Sequence, residues 1–325
     1  MVLATLLCSS TLPHVRISAF GFQACHGLGS KAVCRAPSTA QRMEFVANRG
    51  IICSSGRFDS VVCKAQKNVD ETPSSLNVKQ LSLWALEGVY VGWLFFLPFA
   101  PGDPVWAISS DTVRDLLGLS LNFFFILPFV NSVGVHVMEA PVLHPMSEGL
   151  FNFVIGWTFM FAPLLFTDCR KDRYRGSLDI LWGLQMFLTN AFLIPYMAIR
   201  LNDNSTNASA KQSKLGMFMS TRGAPYVGLL GGAICFVSAW WAVFGRADGS
   251  FGGLAERLEF LRSYIGSERL AYAFIWDIGL YTIFQPWLIG DNLQNVQENK
   301  VELVTSLRYL PVFGLIGYCL FLDRD

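Results

Sequence analysis

The sequence predicts an all-α, polytopic helical membrane protein of about seven transmembrane helices, with six to eight as the range, and three observations carry that expectation. The chain is 52% hydrophobic and only 15% charged, against roughly 25% charged residues in soluble domains. Its apolar residues gather into blocks near the ~20 residues that cross ~30 Å of hydrocarbon. The blocks are continuous rather than alternating, so helices rather than barrel strands satisfy the backbone in lipid. Net charge is +1 and no Lys/Arg-rich face is evident, which argues against a nucleic-acid partner.

Residues 1–64 are a different kind of sequence. They are rich in Ser and Thr and carry Arg16, Arg35, Arg42, Arg49 and Arg57 against only Glu44 and Asp59. That composition is the signature of a plastid transit peptide, with a mitochondrial address second. The polar stretch 65–80 reads as a flexible tail, and 81–325 as the helical membrane domain. Its candidate spans are 81–100, 116–137, 150–167, 178–199, 223–244, 269–289 and 308–322. Between the fifth and sixth, Leu254, Leu258, Leu261 and Ile265 recur at helical spacing among charged residues, as expected of a helix lying at the membrane surface. "GLLGG" (228–232) reads as small-residue helix packing rather than a phosphate loop. With strict alternation of spans, Lys and Arg divide evenly between the two sides and leave the orientation open.

Outside the leader, Cys169, Cys235 and Cys319 are far apart in sequence and suggest neither a disulfide framework nor a zinc site. A Pro followed by an aromatic recurs late in spans, at "FFLPF" (95–99), "FILPF" (125–129), "FLIPY" (192–196) and "IFQPW" (283–287). Kinks with interfacial aromatics are the plain reading, and a ligand cavity opened by the kinks is the sharper one.

The residue that stands out is Asp277, a carboxylate two to three turns into an apolar run. An ionisable group within a span is expensive and normally faces a bundle interior with a partner. Tyr281 and Gln285 follow at i+4 and i+8, so the three share one face. Either this stripe bonds polar groups of a neighbouring helix and fixes packing, or Asp277 is a catalytic acid with Tyr281 and Gln285 orienting a ligand's polar end. Glu87, Tyr90, Gln185, Thr189, Asn190, Asn122 and Asn131 are the available partners in other spans. His136, Glu139 and His144 in "HVMEAPVLH" supply metal-ligand types. Pro141 and Pro145 break their alignment, and no metal site is expected. No cofactor motif is evident.

From about Gly183 to Leu320 the chain resembles the abscisic-acid-deficient-four-like family of plastid membrane proteins, associated with neoxanthin synthesis. The resemblance is carried by "FLIPYMA" (192–198), "APYVGLL" (224–230), "SERLAYAFI" (267–275), "DNLQN" (291–295) and "LPVFGLI" (310–316). The family pattern places its acid one turn later, where this chain has Tyr281, and a basic residue near Pro286. The resemblance implies a four-helix C-terminal half and a chloroplast membrane, thylakoid or envelope. It further implies carotenoid or isoprenoid work, as an enzyme or an enzyme's partner. The competing expectation is a non-catalytic assembly or scaffold factor for a photosynthetic membrane complex. Expected partners are the lipid bilayer and either a hydrophobic pigment or a membrane protein complex. A solute transporter fits less well, because the sequence shows no paired broken helices or inverted repeats.

Overall fold

The structure, a computed structural model, describes residues 73–202, 213–246 and 251–323. The expected leader 1–64 and the start of the polar tail lie outside the described residues. Residues 73–80 are not a tail but the first turns of α1 (Pro73–Val91), which opens on a proline where no backbone donor is needed. The remaining helices are α2 (Ser110–Leu121), α3 (Ile126–Ser132), α4 (Pro145–Thr167), α5 (Leu178–Leu188) and α6 (Asn190–Ile199). They continue as α7 (Lys214–Ser220), α8 (Gly223–Phe244), α9 (Leu254–Ser267), α10 (Arg269–Asp291), α11 (Val301–Leu307) and α12 (Phe313–Leu320). The expected all-α class is observed. By length and composition Ser110–Ser132, Pro145–Thr167 and Gly223–Phe244 are apolar enough to cross a membrane.

Helix α4 is the axis of the bundle, with Trp157, Met160, Phe161 and Leu164 fully buried. Helix α8 runs antiparallel against it along small residues. Gly149 meets Ser238 and Ala242, Gly156 meets Ile234 and Cys235, and Gly231 meets Met160. The other glycines of "GLLGG" face α12, Gly228 against Cys319 and Gly232 against Ile316. This is the close backbone approach expected of that motif.

Three of the expected spans, 116–137, 178–199 and 308–322, are not single helices. Helices α5 and α6 reverse at Thr189, whose φ is 42°. Both ends of this hairpin lie together, since Arg173 Nη1 donates to Arg200 O at 2.8 Å. The Tyr174 and Tyr196 rings also meet there, at 5.9 Å. Helices α11 and α12 reverse at Val312, φ 68°, and Gln297 N donates to Phe321 O at 3.0 Å to close their open end. The α2–α3 segment breaks at Phe124 and Phe125, φ 53° and 56°. It starts with Thr112 bonded to Glu268 at 3.2 Å. It ends with Asn131 accepting from Ala140 N at 2.7 Å, next to Pro141, which accepts from Arg246. Glu268 and Arg246 flank the same end of the bundle, so this segment also returns to the side it left. Hydropathy sums apolar residues and carries no information on chain direction, which is why these hairpins read as spans.

Backbone freed at the breaks is repaired by side chains. Asn152 Oδ1 accepts from Phe124 N at 2.6 Å and Asn152 Nδ2 donates to Asn122 O at 3.2 Å. Two buried arginines do the same at helix C-termini, where cations also complement the dipole. Arg269 donates to the carbonyls of Leu94, Leu97, Ala100 and Gly102 beyond α1. Arg257 of α9 donates to Ala242 in the last turn of α8 and to Gly245 and Gly252 beyond it. The expected amphipathic helix between the fifth and sixth spans is α9. Leu81, Phe187, Leu229, Phe236 and Ile283 remain exposed around the bundle, faces compatible with contact with a lipid bilayer.

Candidate functional site

Helix α10 places Asp277, Tyr281 and Gln285 on its buried face, with at most 1% of each exposed. Each meets a different neighbour. Tyr90 OH of α1 donates to Asp277 Oδ1 at 2.8 Å, and Asn190 Nδ2, the first residue of α6, donates to the same atom at 2.8 Å. Thr189 stands within reach of the same carboxylate. The tip of the α5/α6 hairpin therefore docks on Asp277, and the N-terminus of α6, the positive end of its dipole, lies beside a carboxylate. Glu87 is not among the partners of Asp277, and its Oε2 is buried without a hydrogen bond.

One turn further along, Tyr281 OH shares a 2.6 Å hydrogen bond with Thr158 of α4. Gln185 of α5 lies beside Tyr281, yet neither its Oε1 nor its Nε2 meets a partner at hydrogen-bonding geometry, although the residue is fully buried. Gln285 is saturated. Its Oε1 accepts from Trp157 Nε1 at 3.0 Å and Val312 N at 3.2 Å, while Nε2 donates to Arg308 O at 2.9 Å and Leu310 O at 2.8 Å. It thus holds the tip of the α11/α12 hairpin as Asp277 holds that of α5/α6. The polar stripe legible in the sequence is the seam on which two hairpin tips are pinned.

Where α4, α6 and α10 end together, a second network appears that the sequence reading did not single out. Arg200 and Asp168 have fully buried side chains. The guanidinium forks onto Asp168, Nε to Oδ2 and Nη2 to Oδ1, both at 2.8 Å, and Nη1 reaches Asp291 Oδ2 at 2.8 Å. Tyr196 OH and Asn292 Nδ2 also donate to Asp168. Burial alone would push the Asp168 carboxyl up, but the adjacent Arg200 charge and these hydrogen bonds outweigh it and hold it below the usual carboxylate range. A signal was available: Asp168, Arg200 and Asp291 each stand at the end of an apolar run, where a lone charge looks like an ordinary span boundary.

At the other end of α4, Glu148 is fully buried. It accepts from Arg246 through both oxygens at 2.7 and 2.9 Å, from Trp241 Nε1 at 2.7 Å, and from Asn122. His136 and Glu139 line a nearby cleft with Asn131 and Arg246, whereas His144 is spent elsewhere. His144 Nδ1 caps α4 by accepting from Met146 N at 3.1 Å, and its ring stacks on Phe260. Burial, then the Arg257 charge, lowers its pKa to about 4, which suits a neutral, accepting ring. "HVMEAPVLH" is thus split between two surroundings, and among the described residues no group of three metal-ligand side chains converges.

No protein-family model matches this chain, and no curated protein or solved structure is similar to it.

Proposed function

We propose that this chain is a multi-pass plastid membrane protein whose seam beneath the α5/α6 hairpin tip takes up the polar end of a largely apolar ligand of the isoprenoid or carotenoid class. In this reading α1, α4, α8 and α10 cross the bilayer, and the three hairpins enter it without crossing. Non-helical backbone at membrane depth is tolerated where protein surrounds it, as it does at Thr189 and Val312. The observation that carries the ligand reading is Gln185. A buried primary amide that meets no internal partner at full hydrogen-bonding geometry, with only the Tyr281 hydroxyl identified within reach, is costly, of order 1–3 kcal/mol per unmatched group, and a ligand hydroxyl could use the end that Tyr281 does not approach. Asp277, Tyr90 and Tyr281 lie along the same seam, so a hydroxyl arriving at Gln185 enters a site already rich in donors and acceptors. Asp277 is the acid of such a site, Tyr281 an orienting group, and Gln285 the anchor of the neighbouring hairpin.

The alternative is a non-catalytic assembly factor for a photosynthetic membrane complex, favoured by the saturation of Gln285 within the protein. Pigment chromatography and native gels of plastids lacking the chain separate the two. A lost or accumulated xanthophyll, reproduced by Asp277→Asn in a chain that still accumulates, supports the ligand site. Unchanged pigments with a missing complex overturn it.

A further inference from the structure

We propose that the Asp277 end of the seam binds a monovalent cation such as sodium, in exchange for a proton. Among the described residues Glu148, Asp168 and Asp277 are the buried acids. Asp168 meets Arg200 and Glu148 meets Arg246. Asp277 meets only neutral groups, Tyr90, Asn190 and Thr189. None of the ion pairs among the described residues includes it. Glu87, one turn before Tyr90 on α1, brings a second carboxyl to that helix and no positive charge. An ionised carboxylate buried in this way is costly unless a cation joins it.

The oxygens that a cation needs are in place. The Asn190 side chain is fully buried, and its Nδ2 donates to Asp277 while its Oδ1 has no hydrogen-bond partner. One amide therefore carries an unmatched acceptor beside the carboxylate that its other end already grips. The Thr189 hydroxyl stands at the same carboxylate. Carboxylate, amide and hydroxyl oxygens are the ligands that hard cations take, and a single carboxylate balances a single positive charge. The position is the break between α5 and α6, and broken helices inside membrane bundles place cations at such ends. A water molecule there would satisfy the amide oxygen and leave the carboxylate uncompensated.

Proton and cation are alternative occupants. Entry of sodium onto the neutral acid releases its proton, so charge balances and the bundle stays neutral at this point. Cation binding itself does not depend on the ligand reading. Its consequence rests on that reading: Asp277 serves a ligand as an acid only in the cation-free chain.

The test is thermal unfolding of the purified full chain, in detergent and free of pigment, read by tryptophan fluorescence in sodium, choline and calcium chlorides at matched ionic strength. A saturable rise in unfolding temperature with sodium, absent in choline, is expected. Asp277→Asn keeps an acceptor for Tyr90 and Asn190 and offers a donor to Asn190 Oδ1, so it should fold and lose the response to sodium. Asn190→Ala should lower the apparent sodium affinity about tenfold, the scale of one charge-assisted contact. Asp111→Asn, in an exposed pair with Arg114, should keep the full response. Proton release on adding sodium to the weakly buffered wild type checks the exchange without any variant. An equal rise in choline, an undiminished response in Asp277→Asn or Asn190→Ala, or sodium binding without proton release would overturn the proposal. Calcium binding more tightly than sodium would overturn the monovalent assignment. Because no pigment is present, failure here leaves the xanthophyll experiment untouched.

Discussion

A guanidinium with none of its surface exposed is stable in an apolar bundle only because acceptors meet it on every side. Arg200 has them in Asp168 and Asp291, and the arrangement ties α4, α6 and α10 together at one end of the molecule. Removing one partner of such a buried pair typically costs about 3–5 kcal/mol, because the other charge is left without compensation. Arg200→Met should therefore lower the thermal unfolding temperature in detergent sharply, as read by tryptophan fluorescence. The pH dependence has a definite sign. Asp168 is held below its ordinary value in the folded chain, so its contribution is complete above about pH 4. It is lost as pH falls through the depressed folded value. The stability gap between wild type and Arg200→Met should accordingly narrow in acid. A gap that widened there would sink this account of the network.

Among the helices, the α4–α8 contact is made by backbone approaching backbone. Gly231 faces Met160 so closely that a Cβ could not be added without movement. Gly231→Leu should destabilise by at least the ~1–3 kcal/mol typical of overpacking. Gly183→Leu, where nothing stands within 4 Å of the added carbon, should be tolerated. Unfolding of the two variants side by side decides it, and equal effects would mean the contact is not the close one described. The two hairpins share a design at this scale. Each short helix begins at a left-handed residue, Thr189 or Val312, and each tip is met by a side chain of α10, Asp277 or Gln285. Backbone strain of this kind persists only where the surroundings fix it, and here the fixing groups are the stripe that the sequence displayed.

For the molecule as a whole, the hairpins change which loops share a side. Returning 178–199 to its starting end brings "CRKDRYRG" (169–176) to the same end as Lys214, Arg222 and Lys300. The other end keeps Arg114 and Arg262, while Arg246, Arg257 and Arg269 there are bound to Glu148 or to helix carbonyls. The even charge division expected from strict alternation becomes an asymmetry. Under the positive-inside rule, the Arg170–Arg175 end should face the compartment from which the chain is inserted. Single cysteines at Arg175 and Arg262, in intact membranes, should label from opposite sides, with Arg175→Cys reactive from the side of insertion. Labelling of both from one side would contradict the bundle topology.

The all-α class, α8, α9, the packing role of "GLLGG" and the shared face of Asp277, Tyr281 and Gln285 were all legible in the sequence. Each depends on local periodicity or composition, which a single stretch of chain carries by itself. Only the tertiary structure decided that three apolar blocks double back, because reversal rests on the backbone of Thr189, Val312 and the Phe124–Phe125 pair, residues that carry no turn signature. It alone joined Asp168 to Arg200 across 32 residues of chain and Tyr90 to Asp277 across 187. Composition fixes which segments leave water. Where each meets the others is set by hydrogen bonds and charges that must find partners once water is gone, and those partners lie far along the chain.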